Sequence, residues 1–376
     1  MKKIRVMSVF GTRPEAIKMC PLVLALQKNE NIESVICLTG QHREMLDQVM
    51  EIFNVRPDYD LNIMKVRQTL AGITSMVVNG LDEIFENDRP DVVLVHGDTT
   101  TSFAVALAAF YHKIPVGHVE AGLRSFNKYS PFPEEMNRTL TARLSDFHFS
   151  PTEQNRKNLE SEGISKNIFI TGNTVIDAFK YTVKDDYHYK NEVLQKIGFE
   201  GKRTILMTAH RRENLGMPLQ NICRAVKQIA DEYDDLQFIY PVHLNPAVRD
   251  TVFEILGNKS NIRLIEPIDV EDMHNLMAKS YLVLTDSGGL QEEAPSLGVP
   301  VIVLRTETER PEAVAAGTVI VAGVEKDAVY ENLKRLLDDR NEYLKMQRTV
   351  NPYGDGHASE RIVKIISDNE WPGREK

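Results

Sequence analysis

The chain has 376 residues, 42% of them hydrophobic, enough to bury the cores of two α/β domains, and its 54 acidic and 45 basic side chains give a formal charge of −9. That balance disfavours nucleic acid as the main partner, because a phosphate backbone calls for a net basic face, but it leaves room for a small phosphorylated ligand held by a few arginines. The 3 cysteines, Cys20, Cys37 and Cys223, stand at no metal or redox spacing and read as reduced thiols of a cytoplasmic protein, and no apolar run reaches the roughly 20 residues of a membrane span.

The start, MKKIRVMSVFGTRPE, has an apolar part too short for a signal peptide and reads as a strand entering a functional turn. Strand-like runs follow with helical patterns between them: IRVMSVF (4–10), SVICLT (34–39), DVVLVHG (91–97), PVGHVEAG (115–122), FHFS (147–150) and NIFITG (167–172). After a polar stretch near 180–203 the pattern restarts with TILMTA (204–209), QFIYPVH (237–243), IRLIE (262–266), YLVLT (281–285), PVIVL (300–304) and TVIVAG (318–323). Near-continuous apolar strands alternating with helices predict parallel sheets covered on both faces, and the restart predicts two of them. HASERIVKIIS (357–367) carries apolar residues at helical spacing and predicts a terminal amphipathic helix. The expected fold is α/β, with two doubly wound Rossmann-like domains, residues 1–175 and 176–356, facing a central cleft, and a helix, 357–376, crossing back to the first.

Open α/β sheets bind ligands beyond the carboxyl ends of their strands, so the loops there carry the candidates. FGTRPEAIK (10–18) contains a capping box, Thr12 with Glu15 three residues on. It predicts free amides and a positive dipole end beside Gly11, with Arg13 adjacent and Lys18 one turn in, which suits a phosphate; the plainer reading is a capped helix with solvated Arg and Lys. In HGDTTTS (96–102) Asp98 lies at a strand end, where it would also serve as an N-cap. HVEAGLRS (118–125) brings Glu120 to the next strand end, a costly place for a charge unless it is paired or used. FPEEMNR (132–138) adds Glu134 and Glu135 in a proline-bounded loop. Carboxylates in three successive segments converging on one sheet edge predict an acid/base cluster.

In the second half, TAHRREN (208–214) sets His210, Arg211 and Arg212 at a strand end, a pattern that favours phosphate contact, and PVHLNP (241–246) sets His243 at the next. TDSGGLQEEAPSLGVP (285–300) offers Ser287, Gly288, Gly289 and a helix N-terminus to a pyrophosphate. One of Glu292 and Glu293 would then accept from the two hydroxyls of a ribose, and the other would only favour the helix start. TETERPEA (306–313) adds Arg310. No G-x-G-x-x-G follows a strand, and neither H-E-x-x-H nor a cysteine cluster occurs, so no dinucleotide cofactor and no metal is expected.

Taken together, GTRPEAIK, HGDTTT, HVEAGLRS, FPEEMNR, TAHRREN, TDSGGLQEEAPSLGVP and TERPEA closely resemble the bacterial non-hydrolysing UDP-N-acetylglucosamine 2-epimerases, over residues 4 to about 365. The resemblance implies a glycosyltransferase-B type fold and reversible conversion of UDP-N-acetylglucosamine to UDP-N-acetylmannosamine without cofactor. The route is elimination of UDP to a 2-acetamidoglucal and re-addition, supplying bacterial surface polysaccharides. It also implies a homodimer, with UDP-N-acetylglucosamine as an allosteric activator. Carried over, it makes Asp98, Glu120 and Glu134 acid/base candidates and sets His210 and Arg13 on the diphosphate, with Lys18 in the same site. Ser287, Gly288 and Gly289 would hold the pyrophosphate, Glu293 the ribose and Arg310 the diphosphate or sugar. Gln41, His42, Arg67, Arg211 and His243 would form the activator site, with Glu134 at the junction. The sequence departs from the family pattern at Glu44, where glutamine is expected.

Three other readings share parts of this pattern. A glycosyltransferase would share the nucleotide site but leave the first-domain carboxylates without a common task. A hydrolysing epimerase would lose the glucal to water and release free N-acetylmannosamine. A nucleotide-sugar sensor would have no need of acid/base groups. The sequence does not choose which carboxylate takes the C2 proton.

Overall fold

A computed structural model of the chain describes residues 2–40, 43–64 and 68–369. Seven strands, β1 (Ile4–Phe10), β2 (Ile32–Leu38), β3 (Tyr59–Asp60), β4 (Val92–His96), β5 (Val116–Val119), β6 (Phe147–Ser150) and β7 (Ile168–Ile170), pair in parallel in the order β3-β2-β1-β4-β5-β6-β7. Six more, β8 (Arg203–Thr208), β9 (Leu236–Pro241), β10 (Ile262–Ile265), β11 (Leu282–Thr285), β12 (Val301–Val303) and β13 (Val319–Val321), form a second parallel sheet in the order β10-β9-β8-β11-β12-β13. Each apolar run of the sequence becomes one of these strands. Only β3 escapes that reading, being two residues long, with Asp60 exposed.

Both sheets are doubly wound, as expected. Strand order reverses between β1 and β4 in the first and between β8 and β11 in the second, which makes those pairs the topological switch points. Helices at i, i+4 spacing cover the faces: Ile73, Val77, Leu81 and Phe85 of the Leu70–Asn87 helix pack on Met7, Val9, Val93 and Val95. In the second sheet Leu219, Ile222, Val226 and Ile229 of the Met217–Glu232 helix cover Ile205, Met207 and Phe238. Each such buried side chain contributes about 1.5–3 kcal/mol, so the strand ends are fixed by large cores beneath them.

The compact units divide at 181/182 and 352/353, where the sequence suggests 175/176 and 356/357. The difference has a local cause. Asp177, in the Thr174–Thr182 helix, accepts from the Ala358 and Ser359 amides at 3.2 and 2.8 Å, so this helix and the Ala358–Asp368 helix it caps belong together in the first unit. Ile362, Val363 and Ile366 are buried there. No helix among the described residues is long and apolar enough to cross a membrane, and the cysteines are free and buried.

Candidate active site

At the switch point of the first unit one carboxylate joins both loops. Glu15 is 2% exposed. Its Oε2 accepts from the Gly11 amide at 3.0 Å and from the Thr12 amide and hydroxyl at 2.8 Å, and its Oε1 accepts from the Thr99 and Ser102 hydroxyls at 2.7 and 3.0 Å. The capping box forms as the sequence predicts. The amides of Gly11 and Thr12 point at Glu15 and are therefore not the free amides that the sequence predicts. What this turn offers outward is Arg13, exposed and without a hydrogen bond or ion pair among the described residues.

Lys18, one turn further, pairs with Oε2 of Glu120, which also accepts from Asn173 Nδ2 at 2.8 Å and lies 3.6 Å from His96 Nε2. The Glu120 backbone sits in the left-handed region, φ +63°, a conformation costing a non-glycine residue roughly 1–2 kcal/mol. Burial alone would raise its pKa, but Lys18 and His96 outweigh burial and set it well below the ordinary 4.5. A Cβ on Gly97 would lie 3.8 Å from Glu120 Oε1, so Glu120 borders the turn that carries Asp98.

Arg138 binds Asp98 Oδ2 through Nη2 at 2.6 Å, and Asn137 Nδ2 donates to the Asp98 carbonyl at 3.0 Å. The two glutamates of FPEEMNR separate sharply. Glu135 is 3% exposed and accepts the Ser125 and Phe126 amides, both at 2.9 Å, which anchors the preceding loop. Glu134, half-buried at the first position of the Glu134–Leu144 helix, has no partner among the described residues. The first unit thus carries three carboxylates in three settings: one tied to Lys18, one to Arg138 and one untied.

The second unit repeats the hub with a different outcome. Asp286, fully buried after β11, accepts through Oδ2 from the His210 and Arg211 amides at 2.7 and 2.8 Å and from Asn214 Nδ2 at 3.0 Å. Its carbonyl accepts from Arg211 Nε at 2.8 Å. Here the hub leaves the adjoining helix, Gly288–Ser296, open: Ser287 stands at its N-cap without a side-chain cap bond. The first amides of a helix have no acceptor within it. A Cβ on Gly288 would lie 3.3 Å from Glu309 Oε1 and 3.6 Å from Nη2 of both Arg211 and Arg310, and one on Gly289 would lie 3.0 Å from Glu293 Oε1. Gly288 therefore lets an uncapped helix end lie close to two guanidinium groups, a setting that suits phosphoryl oxygens, and Gly289 leaves room for the Glu293 carboxylate.

Glu292 and Glu293 divide as Glu135 and Glu134 do. Glu292 is buried against Arg310 Nε and holds that arginine in place. Glu293 is the more open of the two, with Oε2 3.6 Å from His274 Nε2. Glu309 lies 3.4 Å from Arg211 and 3.9 Å from Arg310 and also pairs with Arg305; burial raises its pKa, and those three arginines bring it down to about 2. His210 stacks on His243, centroids 5.2 Å apart and planes within 5°. Burial lowers the His210 pKa below 6.5, His243 and Arg211 lower it further, and Asp286 opposes them.

Of the candidates read from sequence, His210, Ser287, Gly288, Gly289, Glu293 and Arg310 converge in the second unit. Arg211 and His243, which the resemblance assigned to an activator site, fall in the same cluster. Gln41, His42 and Arg67 lie outside the described residues. Sequence reasoning gave no role to Asp286, Glu309, Arg138, Asn173 or His96. Asp286 had the clearest signal, an acid at a strand end directly before Ser-Gly-Gly.

A sequence profile of the family described as UDP-N-acetylglucosamine 2-epimerase matches residues 24–367. The chain is 57% identical to the UDP-N-acetylglucosamine 2-epimerase of Bacillus subtilis over 367 residues, covering 97% of this chain and 96% of that protein. It is similar, at 50% identity and a TM-score of 0.87, to the crystal structure of the Neisseria meningitidis UDP-GlcNAc 2-epimerase bound to UDP-GlcNAc, over 97% of this chain and 100% of that one. At 10% identity the glycotransferase of kitacinnamycin shares the fold, with a TM-score of 0.65 over 98% and 99% of the two chains.

Proposed function

The chain belongs to the UDP-N-acetylglucosamine 2-epimerase family, and we propose that it interconverts UDP-N-acetylglucosamine and UDP-N-acetylmannosamine by eliminating UDP across C1–C2 and adding it back. The C2 proton lies beside no carbonyl, so direct carbanion formation is costly. Breaking the anomeric C–O bond instead places negative charge on the departing UDP. Arg211, Arg310, His210 and the open helix end at Gly288 and Gly289 suit that charge, and Glu293 suits the ribose hydroxyls.

The observation that carries the reading is the unequal setting of Asp98, Glu120 and Glu134. Inversion removes a proton from one face of C2 and delivers one to the other, which calls for more than one positioned group in more than one protonation state. Glu120, held ionised beside Lys18, is the member of the set that carries no proton of its own. A glycosyltransferase needs no such set.

We infer that the glucal is recaptured by UDP and not lost to water, that the enzyme works in the cytoplasm as a homodimer, and that its product feeds surface polysaccharide assembly. UDP-N-acetylglucosamine is expected to act as activator as well as substrate. The test is incubation with UDP-N-acetylglucosamine in D2O, followed by proton NMR. Both UDP-sugars carrying deuterium at C2 are expected. Free N-acetylmannosamine as the main product would identify a hydrolysing enzyme, and intact substrate with no exchange would remove the catalytic reading.

A further inference from the structure

We propose that Arg138 is a positioning residue: it clamps one oxygen of Asp98 so that the other, Oδ1, is presented to the substrate. The inference rests on the acid/base role proposed for Asp98 and adds a residue to it. The Arg138 side chain is 10% exposed and faces two carboxylates at once, Asp98 Oδ2 at 2.6 Å through Nη2 and Glu135 Oε2 at 3.4 Å through Nη1. Its Nε is buried without a partner. A buried donor left unmade costs about 1–3 kcal/mol, so the guanidinium is held by what its two ends reach.

The neighbouring contacts make this a clamp and not a chance ion pair. Asn137, one residue earlier on the same helix, donates to the Asp98 carbonyl at 3.0 Å and to Thr100 Oγ1 at 3.5 Å. Glu135, three residues earlier, fixes the helix start to Ser125 and Phe126. From the other side, His118 donates through Nε2 to the carbonyl of Gly97 at 2.7 Å, and Gly97 takes φ +64°. The turn is held at Gly97, at the Asp98 carbonyl and at Oδ2. Oδ1 is the one polar atom of Asp98's side chain with no hydrogen bond among the described residues.

A planar fork holds two carboxylates in fixed directions, where an ammonium on a flexible stem fixes neither. Arg138→Met keeps the length and removes both contacts; Arg138→Lys keeps the charge and loses the fork. Misplacing a reacting group by about 1 Å costs on the order of 100-fold in rate. Arg138→Met is expected to lower kcat and C2 deuterium exchange by about that factor, with KM for UDP-N-acetylglucosamine and calorimetric UDP affinity unchanged. Arg138→Lys should recover part of kcat. In an Asp98→Asn background, Arg138→Met should cost nothing further, because the carboxylate it positions no longer exists.

If Arg138→Met does not fold, the same measurements on Arg138→Lys decide, with reduced kcat at unchanged KM expected. The proposal is overturned if the Arg138 variants exchange C2 deuterium at the wild-type rate, if they raise KM alone, or if Arg138→Met is as costly in the Asp98→Asn background as in wild type. Absence of exchange in the wild-type enzyme would overturn the epimerase reading itself, and this inference with it.

Discussion

Adjacent, chemically identical residues do different work in this protein, and their partners decide which. Glu134 and Glu135 are consecutive in sequence, yet Glu135 accepts two amides and faces Arg138 while Glu134 meets nothing among the described residues. A buried carboxylate that accepts backbone amides holds structure, and an untied one at a helix start is available for chemistry. Glu135→Gln places an amide donor against amide donors and should lower unfolding free energy by about 1–3 kcal/mol. Glu134→Gln should leave the urea midpoint unchanged and abolish most turnover. Equal loss of stability in the two variants would contradict this division. Only the family resemblance singled out Glu134; the residue pattern by itself does not separate the two glutamates, since the amides of Ser125 and Phe126 are ten and nine residues away in loop geometry that no periodicity encodes. The same holds for Glu292 and Glu293, where the deciding partner is Arg310, distant in sequence.

Elements were far more legible than partners. Every long strand stood out as an apolar run, because a strand covered on both faces must be apolar throughout. The helix caps were half legible. The box at Thr12 and Glu15 forms as the sequence predicts, but the amides expected to be free there are not, for the glutamate that completes the box consumes them. The Gly288–Ser296 helix is the opposite case, with no side-chain cap bond at its start. Gly289→Ala tests what that start is for. Alanine in place of glycine favours a helix by about 1 kcal/mol, so the variant should melt no lower than wild type. Its Cβ, 3.0 Å from Glu293 Oε1, should push that carboxylate away and weaken UDP binding measured by calorimetry, by roughly 10-fold for about 1.4 kcal/mol of lost contact. Unchanged affinity would take Glu293 out of the nucleotide site.

For the molecule as a whole, the two units meet acid differently. His118 and His148 face each other across β5 and β6, both buried. Burial lowers the His118 pKa to about 3 and the His148 pKa to about 4. Below the ordinary 6.5 an unfolded chain takes up protons that the folded first unit refuses, so its stability falls as pH drops from 6.5 toward those values. For two histidines the slope approaches 2.7 kcal/mol per pH unit, about 1.4 each. In the second unit His210 shifts in the same direction, but its side chain is 42% exposed, and its contribution is smaller. Hydrogen exchange at pH 5 should therefore show the first unit opening before the second, and His148→Phe should flatten the fall in Tm between pH 7 and pH 5. A Tm that is flat over that range in wild type would contradict it. None of this was legible as stability in the sequence, where these histidines were letters within apolar runs.

The return of residues 353 onward to the first unit has a consequence for the order in which the protein is made. Translation is vectorial, and a unit folds once its residues have left the ribosome. The second unit, residues 182–352, is then complete while the first still lacks Ala358, Ile362 and Ile366 from its core and the two amides that satisfy Asp177. The half that begins the chain is the last to close. Until it does, the nascent first unit lacks the apolar cover of that helix and leaves Asp177 without its two amide donors.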